Sequence, residues 1–359
     1  MKDGFIKVAA ATPKIKVADC DHNATQIIAL MKEAAALGVK VMVFPELCIT
    51  GYTCGDLFLQ PTLIKGAENA LARILEETKE LDVVAAVGLP VRCDNKLYNC
   101  AAIIHDGDIV GLVPKTHIPN YGEFYEQRWF ASGRGLAGNI PYAGQEYVQV
   151  ESCLFSCEGM PALTIGVEIC EDLWAVEPRS NLLAGEGGTL ILNLSASDEV
   201  IGKAAYRRQL VKSQSARLGC AYVYADAGEG ESTTDLVFAG HNIIAENGTI
   251  LEENRYHNGL TVTEIDVDKL AYERRRVTTF PRSEETEVTT FLGTYALEMA
   301  DTTLTRPISK TPFVPADDAE RAARCEDILN IAALGLKKRL EHIGSPRPVI
   351  GLSGGLDST

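Results

Sequence analysis

The chain has 359 residues, 46% of them hydrophobic and 23% charged, and a formal net charge of −15. Ordinary globular composition sets aside a disordered chain, and the acidic balance argues against a nucleic-acid binder, whose footprint is basic. The length leaves room for one large domain and part of another, and no apolar run approaches the roughly 18 residues of a membrane span.

The opening "MKDGFIKVAAATPKIKVADC" lacks a basic stretch followed by an uninterrupted apolar one, so no signal peptide and a cytoplasmic location are expected. Within it "FIKVAAAT" reads as a strand. Asn23 with Gln26 resembles a capping box, after which Ile27, Leu30, Met31, Ala34 and Ala35 keep helical spacing and Gly38 suits the exit. "VKVMVFPEL" is the next strand, stopped by Pro45. A helix follows over about 62–81, then the strand "VVAAVGLPV". Continuous apolar strands alternating with amphipathic helices imply a central sheet with helices on a face. "LYNCAAIIHDGDIVGLVPK" changes the pattern: two strands joined at Asp106-Gly107, a strong hairpin signal. "LVFAGHNIIAENGTILEE" repeats the device at Asn247-Gly248, beyond a helix at about 203–219. Hairpins mixed with strand–helix units predict a large mixed sheet, or two sheets packed face to face with helices outside.

Near residue 300 "DTTLTRPISKTPFVPADD" has three prolines and little periodicity. It reads as a linker over 301–316, between a domain at 1–300 and the start of another at 317–359. A helix over 317–342 carries an apolar face of Cys325, Leu329, Ala332, Leu336 and Leu340, ended by Gly344, Pro346 and Pro348. "VIGL" then reads as a short buried strand leading into "SGGLDST". Ten scattered cysteines without paired CxxC spacing, and six dispersed histidines, are expected to be buried thiols and ordinary imidazoles, with no metal site.

Three chemically active side chains stand where apolar strands run out: Glu46 in "VMVFPELCITGYTCGDLF", Lys115 in "GDIVGLVPKTHIPNYGEFYE" and Cys170 in "ALTIGVEICEDLW". Strand ends of layered α/β folds face a common crevice. Together the three make a kit of thiol nucleophile, carboxylate base and charge-stabilising ammonium, with the ammonium and base both favouring thiolate. Singly, each has an ordinary reading: a solvated carboxylate, a loop lysine, a small buried hydrophobe. Spacing alone does not bring them together.

The stretches "FPELCITGYTCGDLF", "PKTHIPNYGEFYEQRWF", "GVEICEDLW", "NLSAS" and "SQSARLGCAYVYADAGEGESTTDLVFAGH" resemble the nitrilase, or carbon–nitrogen hydrolase, superfamily. Within it they resemble the glutaminase domain of glutamine-dependent NAD synthetases, to about residue 290. The resemblance implies a four-layer α-β-β-α sandwich, with Glu46 as general base, Lys115 as oxyanion stabiliser and Cys170 as nucleophile. It implies glutamine as substrate, gripped by Tyr121, Glu171, Ser197 and Lys203. Tyr121 is otherwise a packed aromatic, Ser197 a helix cap and Lys203 a first-turn surface residue. Lys203 departs from the arginine of some relatives and so lacks bidentate geometry. Glu171 and Asp172 either meet the substrate amine or orient the turn after the nucleophile.

"SGGLDST" resembles the pyrophosphate loop of ATP pyrophosphatases, with Gly351, Ser353, Gly354, Gly355, Asp357 and Ser358 as expected ATP contacts. No GK[ST] follows, so it is not a Walker A loop. On this reading the chain is an amino-terminal fragment: a glutaminase half needing no cofactor, and the first part of an α/β synthetase domain. The full enzyme would use ATP and Mg to amidate deamido-NAD, as a homo-oligomer without nucleic-acid or membrane partners. A free-standing nitrilase-type amidase and a non-catalytic assembly module are the alternatives.

Overall fold

Every residue of β1 (Phe5–Thr12) after the first is buried, and its side chains serve two cores in alternation. Ile6, Val8 and Ala10 join one cluster, while Ala9 and Ala11 join the other. The same division holds in β2 (Val41–Val43) and β3 (Val84–Cys93), which explains runs with no polar alternation. A computed structural model describes residues 1–281, 292–344 and 347–356. It comprises two compact units, Met1–Arg306 and Pro307–Thr359.

Among the described residues the first unit holds two sheets. One has the order β14 (Gly259–Asp266), β1, β2, β3, β4 (Lys96–His105), β5 (Asp108–Pro114), β7 (Gln145–Glu151), β6 (Ala137–Tyr142). The other runs β13 (Thr249–Asn254), β12 (Asn242–Glu246), β11 (Ala221–Asp226), β10 (Leu190–Ser195), β9 (Met160–Ile169), β8 (Leu154–Cys157), β15 (Leu292–Tyr295). The middle core lies between them, where Val8, Val43 and Ala86 meet Ile165, Val167, Leu192 and Val223. Each such fully buried branched side chain contributes on the order of 1.5–3 kcal/mol. Helices α1 (Cys20–Ala36) and α2 (Pro61–Thr78) cover the outer face of the first sheet. Helices α4 (Arg179–Gly185) and α5 (Lys203–Leu218) cover that of the second. The result is the expected α-β-β-α sandwich. Both hairpins turn as read, with positive φ at Asp106 (51°), Gly107 (78°), Asn247 (44°) and Gly248 (81°).

The capping box expected at Asn23 does not form. Asp19 caps α1 instead, accepting from the His22 N–H at 3.1 Å. Asn23 lies inside the helix, fully buried, and its amide satisfies Lys16 N, Lys16 O and Ile49 O. A buried amide with three backbone partners ties two loops together, a stronger demand than a cap.

Residues 301–306, part of the stretch that reads as linker, are fastened to the first unit. Thr302 Oγ1 donates to Phe5 O, Thr305 Oγ1 to Glu264 Oε1, and Arg306 pairs with Glu246 at 2.9 Å. In the second unit α7 (Asp318–Ile343) is capped by the Asp317 side chain at one end and by left-handed Gly344 at the other. Its apolar face is present in sequence, but Cys325, Leu329, Ala332 and Leu336 are exposed and Leu340 half-buried. The strand expected at 349–352 is not formed. Those residues are exposed and have no ladder partner among the described residues, and a strand without one leaves its peptide groups to water. Gly351, Ser353, Gly354 and Gly355 are described there, with Gly354 left-handed at φ 80°. Asp357 and Ser358 lie outside the described residues.

Candidate active site

Glu46 sits in the turn after β2, with Leu47 next to it at φ 52°. That turn lies on β3 at Gly88: a Cβ there would come within 2.4 Å of Leu47 N and 2.5 Å of Pro45 O. Only a glycine permits the approach. Lys115 follows β5, its N–H donating to Asn99 O on β4 at 2.8 Å. Cys170 ends β9 and starts the single turn α3 (Glu171–Trp174), with φ 44° and ψ −96°. A non-glycine residue there stores on the order of 1–3 kcal/mol of backbone strain. The turn is held by Cys170 N donating to Leu194 O at 2.9 Å. Asp172, a candidate for that orienting role, accepts from Ile169 N (3.1 Å), Thr116 N (3.3 Å), His117 N (2.8 Å) and His117 Nδ1 (2.9 Å). Asp172 thus staples the segment after Lys115 to the residues flanking Cys170.

The three strand ends meet. Lys115 Nζ lies 2.6 Å from Glu46 Oε1, both groups fully buried. The Ala196 N–H, just past β10, donates to Glu46 Oε2 at 3.1 Å and also faces the Cys170 sulfur. Spacing in the sequence missed the fourth member, Glu126. Its carboxylate takes Lys115 Nζ on both oxygens, at 2.7 and 2.8 Å, and the Tyr52 hydroxyl at 2.9 Å. Glu126 is buried between exposed Tyr125 and Gln127, and no local pattern separates it from Glu123 three residues earlier. Asn99, also missed, donates through Nδ2 to Glu46 Oε1 at 2.6 Å.

Two carboxylates on one ammonium set the electrostatics. Burial lifts the Glu126 carboxyl to about 7, against the pull of Lys115. Burial would lower the Lys115 ammonium, yet Glu126 and Glu46 hold it well above its ordinary value. Burial and the Glu46 charge push the Cys170 thiol well up, with Lys115 and the Ala196 N–H opposing them. The Lys115 charge acts on the thiol in the direction the sequence suggested, but burial and the carboxylates that share the ammonium oppose it.

The expected substrate holders form a second group beside Cys170. The exposed Tyr121 donates its hydroxyl to Glu171 Oε1 at 2.7 Å, and its ring meets Phe124 edge-on. Burial raises the Glu171 carboxyl, and the Tyr121 hydrogen bond opposes that. Lys203 pairs with Asp198 and places its ammonium 5.5 Å from the Phe124 ring centre and 5.4 Å from that of Trp174. Ser197 is not a helix cap, since α5 starts at Lys203 with Gly202 in the capping position. Its N–H donates to Asp226 Oδ1 at 2.8 Å, and its hydroxyl accepts from Arg207 Nη2 at 3.0 Å. Arg207 is fully buried and also bonds Asp198 O, so it anchors the loop that carries both Ser197 and Lys203's partner. Among the described residues no group of three or more His, Cys, Asp or Glu is arranged for a metal ion, and no helix is long and apolar enough to cross a membrane.

Known proteins place this geometry. The family model for carbon–nitrogen hydrolases matches residues 7–275. The chain is 40% identical over 365 residues to the glutamine-dependent NAD(+) synthetase of Mycobacterium tuberculosis, covering 99% of this chain and 54% of that one. It is 26% identical to the Aquifex aeolicus protein of the same name, covering 99% and 57%. The chain thus spans about half the length of the curated relatives it matches. Among solved structures, a glutamine-dependent NAD(+) synthetase from Cytophaga hutchinsonii superposes with a TM-score of 0.65 at 29% identity, covering 77% of this chain and 46% of that one. A Nesterenkonia amidase of the nitrilase superfamily has the same fold, with a TM-score of 0.58 at 18% identity and coverage of 76% and 94%. With the family model spanning residues 7–275, well over half of its length, the chain belongs to the carbon–nitrogen hydrolase family.

Proposed function

We propose that this chain hydrolyses the side-chain amide of glutamine at Cys170, releasing ammonia for an ATP-dependent amidation. The observation that carries the proposal is the contact of Glu46, Lys115 and Glu126 beside a cysteine held in a strained turn. Glu46 takes the thiol proton as the sulfur attacks the amide carbon, and Lys115 stabilises the tetrahedral oxyanion. The proton passes to the leaving nitrogen, the C–N bond breaks, and ammonia departs from a glutamyl thioester. Water, activated by Glu46, then cleaves the thioester to glutamate and restores the thiol. Tyr121, Glu171, Ser197 and Lys203 hold the α-amino and α-carboxylate groups at the rim.

The names of the relatives support extending the reading to the longer protein. There ammonia displaces AMP from adenylated deamido-NAD to give NAD, with ATP as co-substrate and Mg as its ion, in a cytoplasmic homo-oligomer. Gly351, Ser353, Gly354, Gly355, Asp357 and Ser358 are the proposed pyrophosphate contacts. The deciding experiment measures glutamate and ammonia from glutamine with this chain. Release that depends on Cys170 supports the proposal. Hydrolysis of other small amides but not glutamine favours a free-standing amidase, and no hydrolysis at all favours an assembly module.

A further inference from the structure

We infer that Asn99 is a positioning residue for this amide hydrolysis, fixing Glu46 through its side chain and Lys115 through its backbone. Asn99 stands on β4 and is 1% exposed. Its Nδ2 donates to Glu46 Oε1 at 2.6 Å, on the same oxygen that accepts Lys115 Nζ at 2.6 Å. Its carbonyl oxygen accepts the Lys115 N–H at 2.8 Å. One residue thus sets the position of both partners in the Glu46–Lys115 pair.

The pair needs such a fixture. Lys115 Nζ is shared with both oxygens of Glu126, so the ammonium alone does not decide where Glu46 rests. With Asn99 on Oε1 and Ala196 N–H on Oε2, the carboxylate plane is held from two sides. Positioning to within an ångström is worth large factors in rate.

A second feature separates this role from packing. Asn99 Oδ1 is buried and has no hydrogen-bond partner among the described residues. A buried acceptor left unpaired opposes folding, so the amide is not what packing alone would select here. The amide at this position serves Glu46 rather than stability.

The inference rests on the amide-hydrolase reading, and two measurements keep the two apart. In Asn99→Leu, kcat for glutamine should fall about 10²-fold while KM stays within about threefold, in a variant that still unfolds cooperatively. The rate at which iodoacetamide alkylates Cys170, followed by the mass of its peptide, should fall as well. That readout needs no glutamine turnover, so it tests Asn99 even if the parent chain proves inactive on glutamine. Asn99→Asp keeps size and shape but sets a second carboxyl against Glu46. It should fold and be at least as slow, and it decides the question if the leucine variant does not fold. Parent-like kcat and parent-like alkylation in a folded variant would overturn the inference. So would a loss of rate that only tracks a loss of melting temperature.

Discussion

The two ends of the site are built differently. At the chemical end, Glu46, Lys115 and Glu126 are almost wholly buried, and backbone groups of β4 and the end of β10 hold Lys115 and Glu46. At the rim, Tyr121 is 59% exposed, and Glu171 and Lys203 are held by one or two side-chain partners each. Buried charges left unpaired are costly, so the chemical end tolerates little change. The Tyr121–Glu171 pair at the rim is open to solvent and screened, so substitution there should alter affinity before rate.

Removing the proposed nucleophile tests that contrast most severely. Cys170→Ala should lower glutamine hydrolysis by on the order of 10³-fold or more, with circular dichroism and melting close to the parent. Near-parental ammonia release by the variant would mean that the chemistry lies elsewhere.

Glu126→Gln should cost on the order of 10²-fold in kcat, because Lys115, the proposed oxyanion partner, loses a bidentate carboxylate. It should also change the pH dependence of stability. The Glu126 carboxyl is raised in the fold to about 7 from an unfolded value of 4.5. A raised carboxyl adds stability that is fully present below the unfolded value and is lost as pH rises through the folded one. The parent should therefore lose stability between about pH 4.5 and about 7, and the glutamine variant less of it. Identical slopes in urea titrations across that window would show that Glu126 is not the titrating group.

The rim should respond more mildly. Lys203→Met should raise KM for glutamine about tenfold to 100-fold, as expected when a charged hydrogen bond is lost, with kcat within about threefold. A fall in kcat with KM unchanged would move Lys203 to the chemical end. Tyr121→Phe removes one neutral-donor hydrogen bond to Glu171 and should raise KM only about two- to tenfold. A larger effect would show that the Tyr121–Glu171 pair shapes the whole rim.

Much of this was legible in the residues themselves. Apolar runs such as "VVAAVGLPV" announce strands covered on both faces, because a strand buried on one face would alternate. Asp-Gly and Asn-Gly announce hairpins, because few residues accept two successive positive φ values. Glu46, Lys115 and Cys170 were marked by their positions at strand ends, and family resemblance put them in one site. Other features are not local. Glu46 and Lys115 belong to one sheet and Cys170 to the other, so only the face-to-face packing of the sheets sets the thiol beside the ion pair. Burial of Glu126 rather than Glu123, and the turn of Asn99 toward Glu46, follow from that packing. The strand read at 349–352 shows the converse: β propensity is stated by the sequence, but a strand exists only where another chain segment completes its hydrogen bonds.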